Sequence, residues 1–220
     1  DLDPLAGGQE QMRCELHLKR LQKAITKTNI HLIHDPRPAK KLLVLDLDYT
    51  LFDCKGPAES VEHLKRPYLE EFMTTVYEWF DLCVWSQTHW KWVEMKCTEL
   101  GFLTNSNYRL SFVMDRSSMF TVSSRQKDGS QRQHEVKALE IIWSKFPVWG
   151  PHNTLHIDDL SRNFAMNPKN GVKVSSYRMA KRQTDIELVA LARYLRKVAT
   201  LEDVTSKDHR DWKDEVAKMG

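Results

Sequence analysis

The chain has 220 residues, of which 41% are apolar and 29% charged, with a formal net charge of +3. That length suits one domain with extensions and can bury a full core, and the composition excludes a disordered chain. Lysine and arginine interleave with acids, so the small excess charge reads as a solvated surface and excludes a nucleic-acid partner.

Cys14, Cys54, Cys83 and Cys97 form no Cys-x-x-Cys pair, and no histidine has zinc-ligand spacing. No signal peptide is read and no apolar run reaches membrane length, so no membrane partner is expected and the thiols are expected to be reduced.

In chain order, the first residues include Gly7-Gly8 and read as flexible. Gln9 to Asn29 follows as a helix, with Cys14, Leu18, Leu21 and Ile25 on one face. Cys14 to Arg20 has the Cys-x₅-Arg spacing of cysteine-dependent phosphatases. The segment lacks the glycine such a phosphate loop needs, so the match is taken as chance. His34-Asp35-Pro36-Arg37-Pro38 breaks the helix.

Leu42 to Leu45 is a continuous apolar run ending in Asp46, the pattern of a strand buried on both faces. Pro67 opens a helix whose stripe is Leu69, Phe72, Met73 and Val76. Asp81 to Ser86 is a second buried strand, and a helix with Val93, Cys97 and Leu100 in register closes at Gly101. From Tyr108 to Gln133 alternation takes over, with a turn at Asp128-Gly129, and a small antiparallel insertion is predicted. Glu135 to Phe146 reads as helix. Thr154 to Ile157 is a third buried strand running into Asp158-Asp159, Val172 to Ser175 a fourth, and Thr184 to Thr200 a last helix.

Strands alternating with helices predict a three-layer α/β fold with a central, mostly parallel sheet. The expected organisation is an N-terminal segment and helix over 1–34, the catalytic body over 35–200, and a tail packing on it over 201–220. Ligands bind beyond the carboxyl ends of such strands, where Asp46, Ser86 and Asp158 should converge. Asp46 and Asp48, two apart on extended chain, point to one side and with Asp158 and Asp159 would gather four carboxylates. Such repulsion calls for raised pKa values or a cation, and oxygen-only ligands suit Mg²⁺. Lys137, at a helix start, supplies positive charge for a phosphoryl group, and Ser86 and Thr88 supply hydroxyl donors.

Each of these residues alone would be an ordinary cap, turn former or surface charge. Together and in order, Asp46-Leu47-Asp48-Tyr49-Thr50-Leu51, Ser86 after an apolar strand, Lys137 and Asp158-Asp159 resemble the four motifs of haloacid dehalogenase-like (HAD-like) phosphatases. Arg66-Pro67-Tyr68-Leu69 and Val84-Trp85-Ser86-Gln87-Thr88 resemble segments of the branch that dephosphorylates the C-terminal domain of RNA polymerase II (the FCP/SCP branch). Arg162-Asn163-Phe164 and Met166-Asn167-Pro168 resemble members that also carry a ubiquitin-like domain.

The resemblance implies a Rossmann-like HAD fold without a large cap, and a Mg²⁺-dependent protein serine/threonine phosphatase. Asp46 would be the nucleophile and Asp48 the acid and base. Ser86, Gln87, Thr88 and Lys137 would hold phosphate, with Thr50 and Asn163 in support. The metal would sit on Asp46, the Asp48 carbonyl and Asp159, with Asp158 adjacent. It also implies proteasome subunits and polymerase phosphoserine peptides as substrates. Proteasome docking would run through a ubiquitin-like domain not seen in this chain. A monomer is expected, in the nucleus and also the cytoplasm.

Overall fold

The computed structural model describes residues 13–57, 60–125 and 130–219. In chain order these hold α1 (Glu15–Lys27), β1 (Lys41–Leu45), α2 (Val61–Leu64), α3 (Leu69–Tyr77), β2 (Phe80–Trp85) and α4 (Trp90–Glu99). Next come β3 (Leu110–Met114), β4 (Phe120–Arg125), β5 (Gln131–Val136), α5 (Glu140–Trp143), β6 (Thr154–Asp158), β7 (Gly171–Lys173), α6 (Glu187–Ala199) and α7 (Trp212–Ala217).

Five strands form one sheet in the order β3-β2-β1-β6-β7, all parallel, with β1 in the middle. Side chains alternate across such a sheet, so each central strand feeds two cores. Leu43, Leu45, Leu82 and Val84 join the core under α3, α4, α6 and α7. Leu42, Val44, Cys83 and Trp85 join the other, with Leu21 and Ala24 of α1 and Ile141 and Ile142 of α5. The result is the expected three-layer α/β arrangement. On the first face, the predicted stripe of α3 is fully buried, and Gly101, at φ +75, ends α4 in the left-handed conformation that glycine adopts without steric cost. Trp212 and Val216 of the C-terminal helix lie in the same core, and the Trp212 indole donates to the Lys173 carbonyl at 2.7 Å.

Several elements differ from expectation. Leu110–Met114 belongs to no antiparallel insertion; it is the edge strand of the main sheet, paired in parallel with β2. Its outer edge is covered by Ile33 and His34, whose amides donate to the Ser111 carbonyl. The insertion is only the β4–β5 pair, antiparallel from Phe120↔Val136 to Arg125↔Gln131. The predicted turn at Asp128-Gly129 lies outside the described residues. Glu135 and Val136 end β5 and do not begin a helix, so Lys137 stands on the short link between β5 and α5. Pro67 precedes α3 by two residues, and Tyr68, at φ 64, takes the cap position. The first helix starts at Glu15, with Cys14 before it and Arg20 inside it, so no phosphate loop forms there. Its predicted start at Gln9 lies outside the described residues. No described helix is long and apolar enough to cross a membrane.

Candidate active site

Asp46 continues β1 by one ladder bond, its amide donating to the Ile157 carbonyl at 2.9 Å, and Ser86 continues β2 through the Met114 carbonyl at 3.0 Å. Asp158 ends β6. The carboxyl edge of the sheet therefore brings Asp46, Ser86 and Asp158 together, as the strand ends predicted.

Lys137 comes to this edge from the end of the hairpin. It is 0% exposed, and its ammonium donates to Asp46 Oδ1 at 2.5 Å and Asp158 Oδ2 at 2.7 Å. Thr50 Oγ1 donates to Asp46 Oδ2 at 2.9 Å, so both oxygens of Asp46 are held. Asp158 also accepts from Asn163 Nδ2 at 2.7 Å and from the Leu160 amide at 2.9 Å. Asp46, Asp158 and Asp159 each offer a carboxylate oxygen within 4.8 Å of the others.

Burial, then the Asp158 charge, pushes the Asp46 carboxyl up to about 8, against the pull of Lys137. Burial and Asp158 raise Asp159 as well. Burial also works against the charges of Lys137 and Asp158, but their mutual attraction prevails: Lys137 is held above the usual lysine range and Asp158 below the usual carboxylate range. Three buried oxygen donors, two of them ionised only at a cost, are a set that a hard divalent cation would fit and relieve.

Asp48 stands apart from this group, a departure from the expected four. The chain turns after Leu47, where the Thr50 and Leu51 amides donate to the Leu47 carbonyl and Tyr49 takes φ 63. Period-two alternation ends there, and the Asp48 carboxylate meets different partners. Lys96 of α4 donates to its Oδ1 at 2.5 Å and Ser86 Oγ to its Oδ2 at 3.1 Å. Ser86 Oγ also lies 2.8 Å from Thr88 Oγ1 and accepts from the Thr88 amide, which fixes the loop that carries Gln87. Trp90 and Trp92 begin α4 and are 45% and 56% exposed.

Three residues at the site went unassigned in the sequence. Lys96 sits among Val93, Cys97 and Leu100 on the buried face of its helix, and a lysine on an apolar stripe is the signal that would have marked it. His156, inside β6 between apolar neighbours, places Nε2 3.4 Å from Asp158 Oδ2. Arg66, 1% exposed, grips Asp185 with both prongs of its guanidinium and donates to the carbonyls of Thr50 and Ser175 at 3.0 Å. It ties the loop after Asp48 to the strand β7 side of the sheet. Arg66→Met would leave the Asp185 carboxylate without its counter-charge, held by the Glu187 amide, and two carbonyls without donors. The expected loss is about 3–5 kcal/mol, a fall of roughly 10 °C in a thermal melt.

Beside Asp159 a groove of about 790 Å³ opens between Tyr49, Ser176, Arg178, Trp212 and Lys213. The Arg178 guanidinium lies 3.6 Å above the Tyr49 ring at its mouth. Among the described residues the insertion after Ser86 contributes only the two-stranded hairpin, so no bulky cap closes over this edge.

The chain is similar to known proteins. Ubiquitin-like domain-containing CTD phosphatase 1 of Xenopus tropicalis is 41% identical over 207 residues, and its human counterpart 40%; each match covers 93% of this chain and 64% of the relative. The chain thus spans a little under two thirds of the length of these relatives. Among solved structures, a variant of fission yeast RNA polymerase II CTD phosphatase Fcp1 bound to beryllium fluoride superposes with a TM-score of 0.51 at 14% identity. That match covers 84% of this chain and 65% of the other. A second structure of Fcp1 gives a TM-score of 0.50 at 15% identity, with the same coverage. Both share the fold. The family model of NLI interacting factor-like phosphatases matches residues 41–205, from the start of β1 to beyond α6 and so across Asp46, Asp48, Ser86, Lys137, Asp158 and Asp159, and the chain belongs to that family.

Proposed function

We propose that this chain is a Mg²⁺-dependent protein serine/threonine phosphatase that works through an aspartyl-phosphate on Asp46. The observation that carries the reading is the seating of Asp46: a buried carboxylate between Lys137 and two further acids, with a second acid, Asp48, beside it on a serine and a lysine.

In this reading Asp46 attacks phosphorus as the bond to the substrate oxygen breaks, and the departing electron pair takes a proton from Asp48. Because a serine alkoxide is a poor leaving group, that proton contributes roughly 10²–10⁴-fold. Asp48, now a carboxylate, draws a proton from water, which attacks phosphorus and frees Asp46 and phosphate. Lys137, Ser86 and Thr88 hold phosphoryl oxygens, Gln87 lies on the loop between the last two, and Thr50 keeps the Asp46 carboxylate turned toward the attack. Asp46, Asp159 and the Asp48 carbonyl would hold the metal. Asp158, whose oxygens already serve Lys137, Asn163 and Leu160, braces the ammonium. When bound, the cation neutralises the clustered carboxylates and the phosphoryl charge.

That no bulky cap is found among the described residues supports a residue on a protein as substrate over a small metabolite. The names of the 40–41% identical relatives, which call them CTD phosphatases, support a C-terminal-domain peptide as substrate, and the motif resemblance adds that it is a phosphoserine peptide of the polymerase. Proteasome subunits as substrates, docking through a ubiquitin-like domain, a monomeric state, and action in the nucleus and cytoplasm rest on the motif resemblance.

Phosphate release from phosphoserine peptides tests the reading. Turnover is expected with Mg²⁺, loss to background in EDTA, and recovery when Mg²⁺ is restored. Persistent turnover in EDTA would sink the metal assignment, and a preference in kcat/KM for sugar phosphates would sink the protein substrate.

A further inference from the structure

We infer that Lys96 is a positioning residue that presents one chosen oxygen of Asp48 to the leaving group. The inference rests on the phosphatase reading and deepens it. α4 is amphipathic in the ordinary way: Lys91, Trp92, Glu94, Met95, Thr98 and Glu99 are exposed while Val93, Cys97 and Leu100 are buried. Lys96 breaks that pattern. Its side chain is 10% exposed, and burying an ammonium on an apolar face costs several kcal/mol unless a partner repays it. Here the partner is Asp48 Oδ1 at 2.5 Å, with the Phe52 ring centroid 5.7 Å from the ammonium.

The two oxygens of Asp48 are thereby made different. Oδ1 is fixed by a cation that can only donate, so a proton carried by this carboxyl group sits on Oδ2. Oδ2 is met by the Ser86 hydroxyl, at 3.1 Å, and the Cys54 thiol also bonds to this carboxyl group. That hydroxyl has a single hydrogen and must turn it to a phosphate oxygen when substrate arrives, which leaves Oδ2 facing the reaction. The proton on Oδ2 then passes to the serine oxygen as the phosphorus–oxygen bond breaks. Throughout this exchange Lys96 keeps the carboxyl group from rotating about its short side chain. A mere structural ion pair would serve every substrate alike, whereas a device for aiming the acid matters only where the leaving group needs a proton.

The test compares kcat/KM, which reports the first phosphoryl transfer, for a phosphoserine peptide and for 4-nitrophenyl phosphate, whose phenolate departs without protonation. With Lys96→Met the peptide value is expected to fall about 30-fold, a part of what acid catalysis supplies, and the aryl value less than about 3-fold. Lys96→Arg, which keeps a charged donor, is expected to recover most of the loss. Should the methionine variant not fold, Lys96→Gln reads the same ratio, because its neutral amide is a weaker donor to Oδ1. Equal losses on the two substrates, or no loss on either, overturn the inference while leaving the phosphatase reading intact. A parent chain inactive on both substrates removes the reading and the inference with it.

Discussion

Asp46→Asn is expected to lower kcat on phosphoserine peptides by roughly 10⁴- to 10⁶-fold, the scale of removing a covalent nucleophile, while the protein remains folded. The amide has nearly the same shape: its oxygen can still accept from Lys137 Nζ, and its NH2, in place of the second oxygen, can donate to Thr50 Oγ1 once that hydroxyl turns. What it lacks is a carboxylate oxygen able to bond to phosphorus. Stability should move in the opposite direction to activity. The folded Asp46 carboxyl sits at about 8, raised from 3.8 by burial and by Asp158. Between those values the folded chain holds a proton that the unfolded chain has released, so in metal-free buffer its contribution to stability falls as pH rises through that window. Asparagine removes this penalty. Its melting temperature at pH 8 without metal should equal or exceed that of the parent, and the parent's deficit should shrink on adding Mg²⁺. A substituted protein that turned over peptide within tenfold of the parent would end the covalent mechanism.

The parts of this site that sequence could reveal are those whose pattern has one physical explanation. Four apolar residues followed by Asp46 can hardly be anything but a strand buried on both faces of a parallel sheet. The same logic placed Ser86 and Asp158 at neighbouring strand ends, and registers such as Leu45↔Val84 and Leu45↔Ile157 put them side by side. β3 misled because Ser111 interrupts its apolar run and imitates the alternation of a half-exposed strand, yet Ser111 is 3% exposed, its carbonyl covered by the chain at Ile33 and His34. Val136, Leu139, Trp143 and Phe146 keep helical spacing by coincidence, the first in a strand and the rest in or around a single helical turn. The bend after Leu47 depends on Tyr49 at φ 63, a conformation no residue-type pattern announces, so the separation of Asp48 from the other acids was hidden. Lys96 and Arg66 were hidden for another reason. A buried cation is recognised by its partner, and the partners lie 48 and 119 residues away in the chain.

Lys137→Met is expected to lower activity and stability together. Methionine matches the volume and slips into the same space, so the change isolates the charge. In its place Asp46 and Asp158 would face each other, 3% and 0% exposed, with no cation between them. Leaving buried charges unpaired costs about 3–5 kcal/mol, which for a chain of this size lowers the melting temperature by roughly 10 °C. Losing a preorganised donor to the phosphoryl oxygens should lower kcat by about 10²–10³-fold on any phosphate ester, aryl or peptide. That uniform loss contrasts with the selective one expected at Lys96. The two defects can be separated. Adding Asp46→Asn to Lys137→Met removes a carboxyl group that must either stay charged beside Asp158 or take up a proton that the unfolded chain has released, so the double variant should be more stable than Lys137→Met alone, by about 1–3 kcal/mol of coupling, although it is less active. An effect of Asp46→Asn on stability that is the same in both backgrounds would mean that Lys137 serves only as packing, and that the ammonium joining Asp46 to Asp158 does not hold the two strand ends together.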